Sequence, residues 1–379
     1  MPKRHQFFWK LLVPLVGIFL RIKFGYTFEK VKNAPDRFIV LANHTTDFDP
    51  LFVGVSFKNY MRFVGSEHIA RWKIFPLLNY VFNPIMRYKG MTASSTVMEM
   101  IRTVRGGTDV MMFAEGVRSW DGLPSPIAPA TGKVIKSAKC ALITYRISGG
   151  YFTSPMWSAG NGTRRGCIHG RPVNIYTAEQ LSKMSISEIN EAIKADLGED
   201  AYEVQLKSPA KYKGKNLAER METMLHICPD CGEMDTLTSK GDTVSCEKCG
   251  MKFTYDEYGM LHGIPFETVR DLSLWQKGEI EKHALTATYT SPAGALIKVA
   301  KHEETPVCSG AVTMNAQKLT CGDTEFDVSS LMDLAMHGRH ALVFSTNDGY
   351  YELIIENGGN ALKYQLLYNT LKNAVTAAQ

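Results

Sequence analysis

Five consecutive apolar residues, Phe38-Ile39-Val40-Leu41-Ala42, give way abruptly to the polar stretch Asn43-His44-Thr45-Thr46-Asp47-Phe48-Asp49-Pro50. An unbroken run of that length is the pattern of a strand buried on both faces, as in a parallel sheet. A second apolar run, Leu51 to Phe57, reads as a helix with Asp49 as its N-cap and Pro50 in the first helical position. Met61 to Gly65 then reads as a strand, Glu67 to Tyr80 as a helix, and Asn83 to Lys89 as an extended segment ending in cations. Thr96 to Arg105 has helical periodicity and stops at Gly106-Gly107. Asp109 to Phe113 is a strand, Ile135 to Ala138 is helical, Ala141 to Ile147 is another buried strand, and Ser185 to Leu197 is a helix with Ser187 as its cap. Strands alternating with helices at this spacing predict an α/β domain with a mixed, mainly parallel sheet flanked by helices.

The pattern differs at both ends of the chain. The N-terminus places an apolar run, Leu11 to Leu20, between aromatic and basic residues, with Arg21 and Lys23 closing it. A spanning helix needs about 20 apolar residues. This run is shorter and holds Pro14 and Gly17, so residues 1–25 read as an interfacial, membrane-associated helix; a buried core helix fits the same letters. Residues 206–225, rich in lysine, read as a linker, and Phe266 to His283 as a connecting helix. From Ala284 the pattern shortens to strands over 284–289, 295–299, 310–314, 318–320, 341–345 and 350–355, followed by an amphipathic helix over 361–374. Strands closed by one helix resemble a pleckstrin-homology-like β domain, here residues 284–379, as an analogy of pattern.

Composition changes the picture little. The 379 residues suffice for two or three domains. A net charge of +5 is a mild excess, suited to anionic lipid or phosphate but too weak to imply nucleic acid. The eight cysteines matter more. Cys228/Cys231 and Cys246/Cys249 form two Cys-x2-Cys knuckles around a short hairpin pattern, the spacing of a closed structural zinc site. Residues 226–262 are thus expected to be a zinc ribbon holding one Zn2+. The remaining cysteines, 140, 167, 308 and 321, read as packing residues.

The chemistry lies in two polar turns, each following a buried strand. In the first, His44 and Asp49 are spaced so that a carboxylate can orient an imidazole, the arrangement that takes a proton from a hydroxyl. A plain helix cap and a loop histidine fit the same residues. In the second, Phe113-Ala114-Glu115-Gly116-Val117-Arg118-Ser119, Gly116 permits close backbone approach and Arg118 offers a planar fork for phosphate. Arg87, ending the extended segment, offers another. Turns at the carboxyl ends of strands in one open sheet share a crevice.

Together these blocks resemble those of the glycerolipid acyltransferase family: Asn-His-x4-Asp is matched at His44 and Asp49, and Phe-Pro-Glu-Gly-Thr-Arg-Ser at Phe113, Glu115, Gly116, Arg118 and Ser119. Ala114 and Val117 depart from that pattern, Arg87 meets the second block loosely, and Leu142-Ile143-Thr144-Tyr145-Arg146 meets the fourth poorly. The likeness spans roughly residues 1–205, with the domain proper at 26–205, and Gly170 to Val173 resembles the strand that closes the family's domain. It implies acyl transfer without an acyl-enzyme. His44 would be the base and Asp49 its orienter, with Glu115, Gly116, Arg118 and Arg87 holding the acceptor. Acyl-CoA or acyl-carrier protein would be the donor and lysophosphatidic acid the acceptor, at the cytoplasmic face of an anionic membrane. A remodelling enzyme for other lysophospholipids, or a non-catalytic lipid-binding protein acting through ribbon and tail, are the competing expectations. The aromatic stretch 151–157 reads as exposed, against lipid or along an acyl channel, or else as core.

Overall fold

The computed structural model describes residues 3–87, 93–158, 162–300, 303–357 and 359–378. Two compact units divide them: the first takes in the chain up to Gly214 apart from a short stretch beginning at Trp157, and the second takes in that stretch with Lys215 onward.

In the first unit the chain runs α1 (Lys3–Phe24), β1 (Tyr26–Phe28), β2 (Phe38–Ala42), α2 (Asp49–Gly54), β3 (Met61–Ser66), α3 (Phe75–Phe82), β4 (Ile85–Arg87), α4 (Ser94–Arg105) and β5 (Asp109–Phe113). It continues through α5 (Thr131–Ala138), β6 (Ala141–Ser148), α6 (Gly150–Thr153), β7 (Ile168–Tyr176), α7 (Ala178–Lys183), α8 (Ile186–Leu197) and α9 (Ala201–Lys207). The seven strands form one sheet in the order β1-β7-β6-β2-β5-β3-β4. Every pairing is parallel except β6 with β7. The mixed, mainly parallel sheet expected from the alternating pattern is therefore present.

All five residues of β2 are buried, and the alternation of a strand explains where they go. Phe38, Val40 and Ala42 join a core on one face with Trp9, Phe24, Phe52 and Tyr145. Ile39 and Leu41 join a core on the other face with Met100, Ile135, Ile189 and Ile193. Helices therefore cover both faces of β2.

Several boundaries differ from the reading of the sequence. Asp49 is not the N-cap of α2 but lies inside the helix; Phe48 stands at the cap position without a side-chain bond, because the Asp49 carboxylate is used by the preceding turn. Residues 67–71 form a 3-10 turn, and the helix proper begins at Phe75. Tyr88 and Lys89, at the end of the predicted extended segment, lie outside the described residues. Ser185, not Ser187, caps α8, in a reciprocal capping box with Glu188. Residues 206–225, expected to be a linker, hold the division between the two units, after Gly214, and are packed. Tyr212, Leu217, Ala218, Met221, Met224 and Leu225 are buried, and Gln205 bonds both main-chain groups of Ala210. Tyr151, Phe152 and Trp157 are buried as well, so the aromatic stretch is core and not an exposed face. Cys167 is exposed rather than packed.

The second unit opens with a four-stranded sheet, ordered β11-β10-β9-β8, from β8 (Leu237–Lys240), β9 (Thr243–Cys246), β10 (Lys252–Tyr255) and β11 (Leu261–His262). Then come α10 (Val269–His283) and a seven-stranded antiparallel sheet of β12 (Tyr289–Ala300), β13 (Glu303–Met314), β14 (Lys318–Cys321), β15 (Thr324–Asp327), β16 (Leu334–His337), β17 (Ala341–Thr346) and β18 (Gly349–Ile355). Helix α11 (Leu362–Ala378) ends the chain. Residues 284–288 precede the first strand, and β15 and β16 are strands that the pattern did not predict.

Candidate active site and metal centre

The site begins where β2 runs out. Asn43 continues the ladder with its side chain: its amide donates to the Ile147 carbonyl at 2.9 Å and its carbonyl accepts the Ile147 N–H at 2.8 Å. This pins the register of the turn against β6 before His44. The turn then folds around Asp49, which is fully buried. Its Oδ2 accepts the Thr45 and Thr46 N–H groups and lies 2.9 Å from His44 Nδ1; its Oδ1 accepts the Thr45 and Thr46 hydroxyls at 3.1 and 2.7 Å. A carboxylate so placed only accepts, so Nδ1 carries the ring proton and Nε2 keeps its lone pair. Nε2 has no partner among the described residues. The ring is held flat against Phe113, with centroids 4.0 Å apart and planes 10° from parallel.

The second turn lies along the first. Glu115 accepts the His44 N–H at 3.0 Å on one oxygen and the Ser125 N–H at 2.8 Å on the other, and Ser119 N–H donates to the His44 carbonyl at 3.1 Å. Burial pushes the Glu115 carboxyl up to about 8, overcoming the two N–H bonds that favour its anion. Gly116 sits at φ +69 with nothing within contact of an added Cβ, and its N–H closes the turn on the Phe113 carbonyl at 3.2 Å. Arg118 is buried; it donates to Thr45 and Ser154 carbonyls and to the Asp47 carboxylate at 2.7 Å. Thus His44, Asp49, Glu115, Gly116 and Arg118 meet at one strand edge. Arg87 ends β4 at the same edge but three strands from β2, about 14 Å at the usual interstrand spacing.

A small cleft open to solvent borders these turns, lined by Asn43, His44, Thr45, Glu115, Ser119, Tyr151 and Glu199 among others. The roles of Asn43, Thr45, Thr46 and Phe113 were not predicted. Only the neighbouring motif could have pointed to them, because a hydroxyl or amide declares a partner only once the turn is folded.

In the second unit the four knuckle cysteines converge. Their sulfurs all lie within 4.8 Å of one another, with Cys228–Cys249 and Cys231–Cys246 at 3.8 Å. A metal held at about 2.3 Å by four tetrahedral thiolates separates its sulfurs by about 3.8 Å. The donor set therefore fits a closed structural metal site.

An imidazole with one nitrogen locked by a buried carboxylate and the other open, at the carboxyl edge of a mixed α/β sheet, defines a site able to activate a hydroxyl for group transfer. Residues 25–148, from the end of α1 through the last residue of β6, match the model of the Acyltransferase family, so the first unit carries an acyltransferase domain. No curated protein sequence matches the chain. Among solved structures it is similar to the 1-acyl-sn-glycerophosphate (LPA) acyltransferase PlsC from Thermotoga maritima, at 18% identity over 54% of this chain and 79% of that one, TM-score 0.42. It is also similar to the N-terminal PH domain of ARAP2 from human, at 12% identity over 24% of this chain and 85% of that one, TM-score 0.19.

Proposed function

We propose that the protein is a membrane-associated O-acyltransferase that moves a fatty acyl group from a thioester donor, acyl-CoA or acyl-carrier protein, to the free hydroxyl of lysophosphatidic acid, giving phosphatidic acid. The observation that carries this reading is the Asp49–His44 pair, with Nε2 open beside a pocket in an acyltransferase-family domain. His44 Nε2 takes the proton of the acceptor hydroxyl as its oxygen attacks the thioester carbonyl. Asp49 stabilises the imidazolium that forms. The tetrahedral intermediate collapses, the thiolate leaves, and the proton passes from His44 to the sulfur. Glu115, Gly116, Arg118 and Arg87 hold the acceptor, with Arg118 on its phosphate.

The membrane reading rests on an exposed stripe. Phe7, Leu11, Leu15, Ile18 and Ile22 of α1 are each more than half exposed at helical spacing, and so are Trp72, Ile74, Leu77 and Tyr80 nearby in the same unit. Phe8 and Arg4 of α1 touch Tyr80, joining the two patches. No helix among the described residues is long and apolar enough to cross a membrane. An interfacial helix at the cytoplasmic face of an anionic bilayer fits both facts. The cysteine cluster holds one structural Zn2+. The C-terminal sheet and helix form a PH-like domain.

The test is acyl transfer by purified full-length protein presented with labelled acyl-CoA, acyl-carrier protein and a panel of lysophospholipids, with products separated by chromatography. Lysophosphatidic acid is expected to be the preferred acceptor; preference for another headgroup would make it a remodelling enzyme. His44→Ala should lower turnover by about 10²–10⁴-fold. Transfer at the wild-type rate by this variant would overturn the mechanism.

A further inference from the structure

Arg118 is a buried cation whose charge is matched by a side chain of the catalytic turn itself. Its Nε and one terminal nitrogen donate to main-chain carbonyls, of Thr45 and Ser154, which fix the guanidinium in place without neutralising it. The other terminal nitrogen donates to Asp47 Oδ2 at 2.7 Å. The two partners differ sharply: the Arg118 side chain is 5% exposed and that of Asp47 is 68% exposed. Asp47 has no other side-chain partner among the described residues. One end of the pair is thus anchored and the other is free to leave into water.

A phosphate monoester offers a guanidinium the same kind of partner as a carboxylate, with more acceptor oxygens and more charge. Asp47 lies three residues from His44 on the same turn, so an anion in its place would sit against the turn that carries the base. We propose that Asp47 is an internal competitor for the acceptor's phosphate: its carboxylate occupies the outer nitrogen of Arg118 in the free protein and swings away when a phosphate takes that position. Asp47 then sets the affinity for phosphorylated acceptors against uncharged ones. This rests on the acyltransferase reading above.

Asp47→Asn and Asp47→Ala test it, since the position is on the surface and both should fold. The first readout is calorimetric titration of the full-length protein with inorganic phosphate. Both variants should reach half-saturation at phosphate concentrations about two- to fivefold lower than wild type, the fold-change of a largely exposed ion pair. The second readout is the ratio of KM for monoacylglycerol to KM for lysophosphatidic acid, which should rise by a similar factor. Unchanged phosphate affinity in both variants would overturn the proposal. A fall in kcat with both acceptors at an unchanged KM ratio would overturn it too, by reducing the pair to a brace of the turn. If wild type transfers to neither acceptor, the acyltransferase reading fails, while the phosphate titration still decides the part played by Asp47.

Discussion

Five donors converge on the two oxygens of Asp49, and only one of them belongs to the imidazole. The carboxylate is therefore part of the turn's architecture before it is part of the chemistry. Asp49→Asn should lower kcat by about 10³–10⁴-fold, because an amide presents an N–H where the ring needs an acceptor and so permits the wrong tautomer; circular dichroism should show whether the fold survives. Glu115 gives a pH signature. A free glutamate releases its proton near 4.5 and the folded one near 8. Folding is thus favoured by proton binding below about 4.5, and that contribution is lost as pH rises through 8. Asp109, raised from 3.8 to about 7 by burial, acts in the same direction. Urea midpoints should fall between pH 5 and about 8, and Glu115→Gln should flatten that slope. At this scale the sequence carried the ionisable residues, because their chemistry is intrinsic to the letter and their spacing can be read. The threonine hydroxyls and Asn43 could not be read, since their function depends on which neighbour the folded turn presents. The same blindness made Asp49 look like a helix cap.

Elements were legible where burial is two-sided or periodic, and illegible where single residues decide. β2 and β5 stand out as unbroken apolar runs because helices cover both faces of the sheet. The stretch from 206 to 225 did not, since exposed lysines alternate with the buried Tyr212, Leu217 and Met221 and dilute the pattern. β15 and β16 are strands of only four residues at the two edges of their sheet, too short for an alternating pattern to stand out. β7 depends on one glycine: a Cβ on Gly170 would lie 2.0 Å from the Tyr26 hydroxyl and 2.3 Å from that of Tyr145. Those hydroxyls are bonded to each other and, through Tyr26, to the Phe52 carbonyl. Gly170→Ala should cost about 1–3 kcal/mol in urea unfolding, because strand or tyrosines must shift. The exposed stripe of α1 makes a separate prediction. Leu11→Glu with Leu15→Glu should abolish sedimentation with phosphatidylglycerol-containing vesicles while leaving the melting temperature nearly unchanged, as neither residue is in the core.

At the scale of the whole chain, two units divide the work. One carries the acyltransferase domain and the other a four-cysteine cluster, an antiparallel sheet and a C-terminal helix. Plasma emission should find about one zinc per chain, and Cys246→Ser should lose it together with the unfolding transition of the second unit, since metal binding supplies about 10–16 kcal/mol to modules of this kind. The central position of β2, hydrogen-bonded to β6 on one side and β5 on the other, has a consequence for how the base behaves over time. Deuterium from solvent should reach the amides of Val40 and Leu41 only when the entire first unit opens. His44, the proposed base, would then follow directly on the slowest-exchanging strand of its unit, and gating of substrate entry would fall to the surrounding loops rather than to that strand.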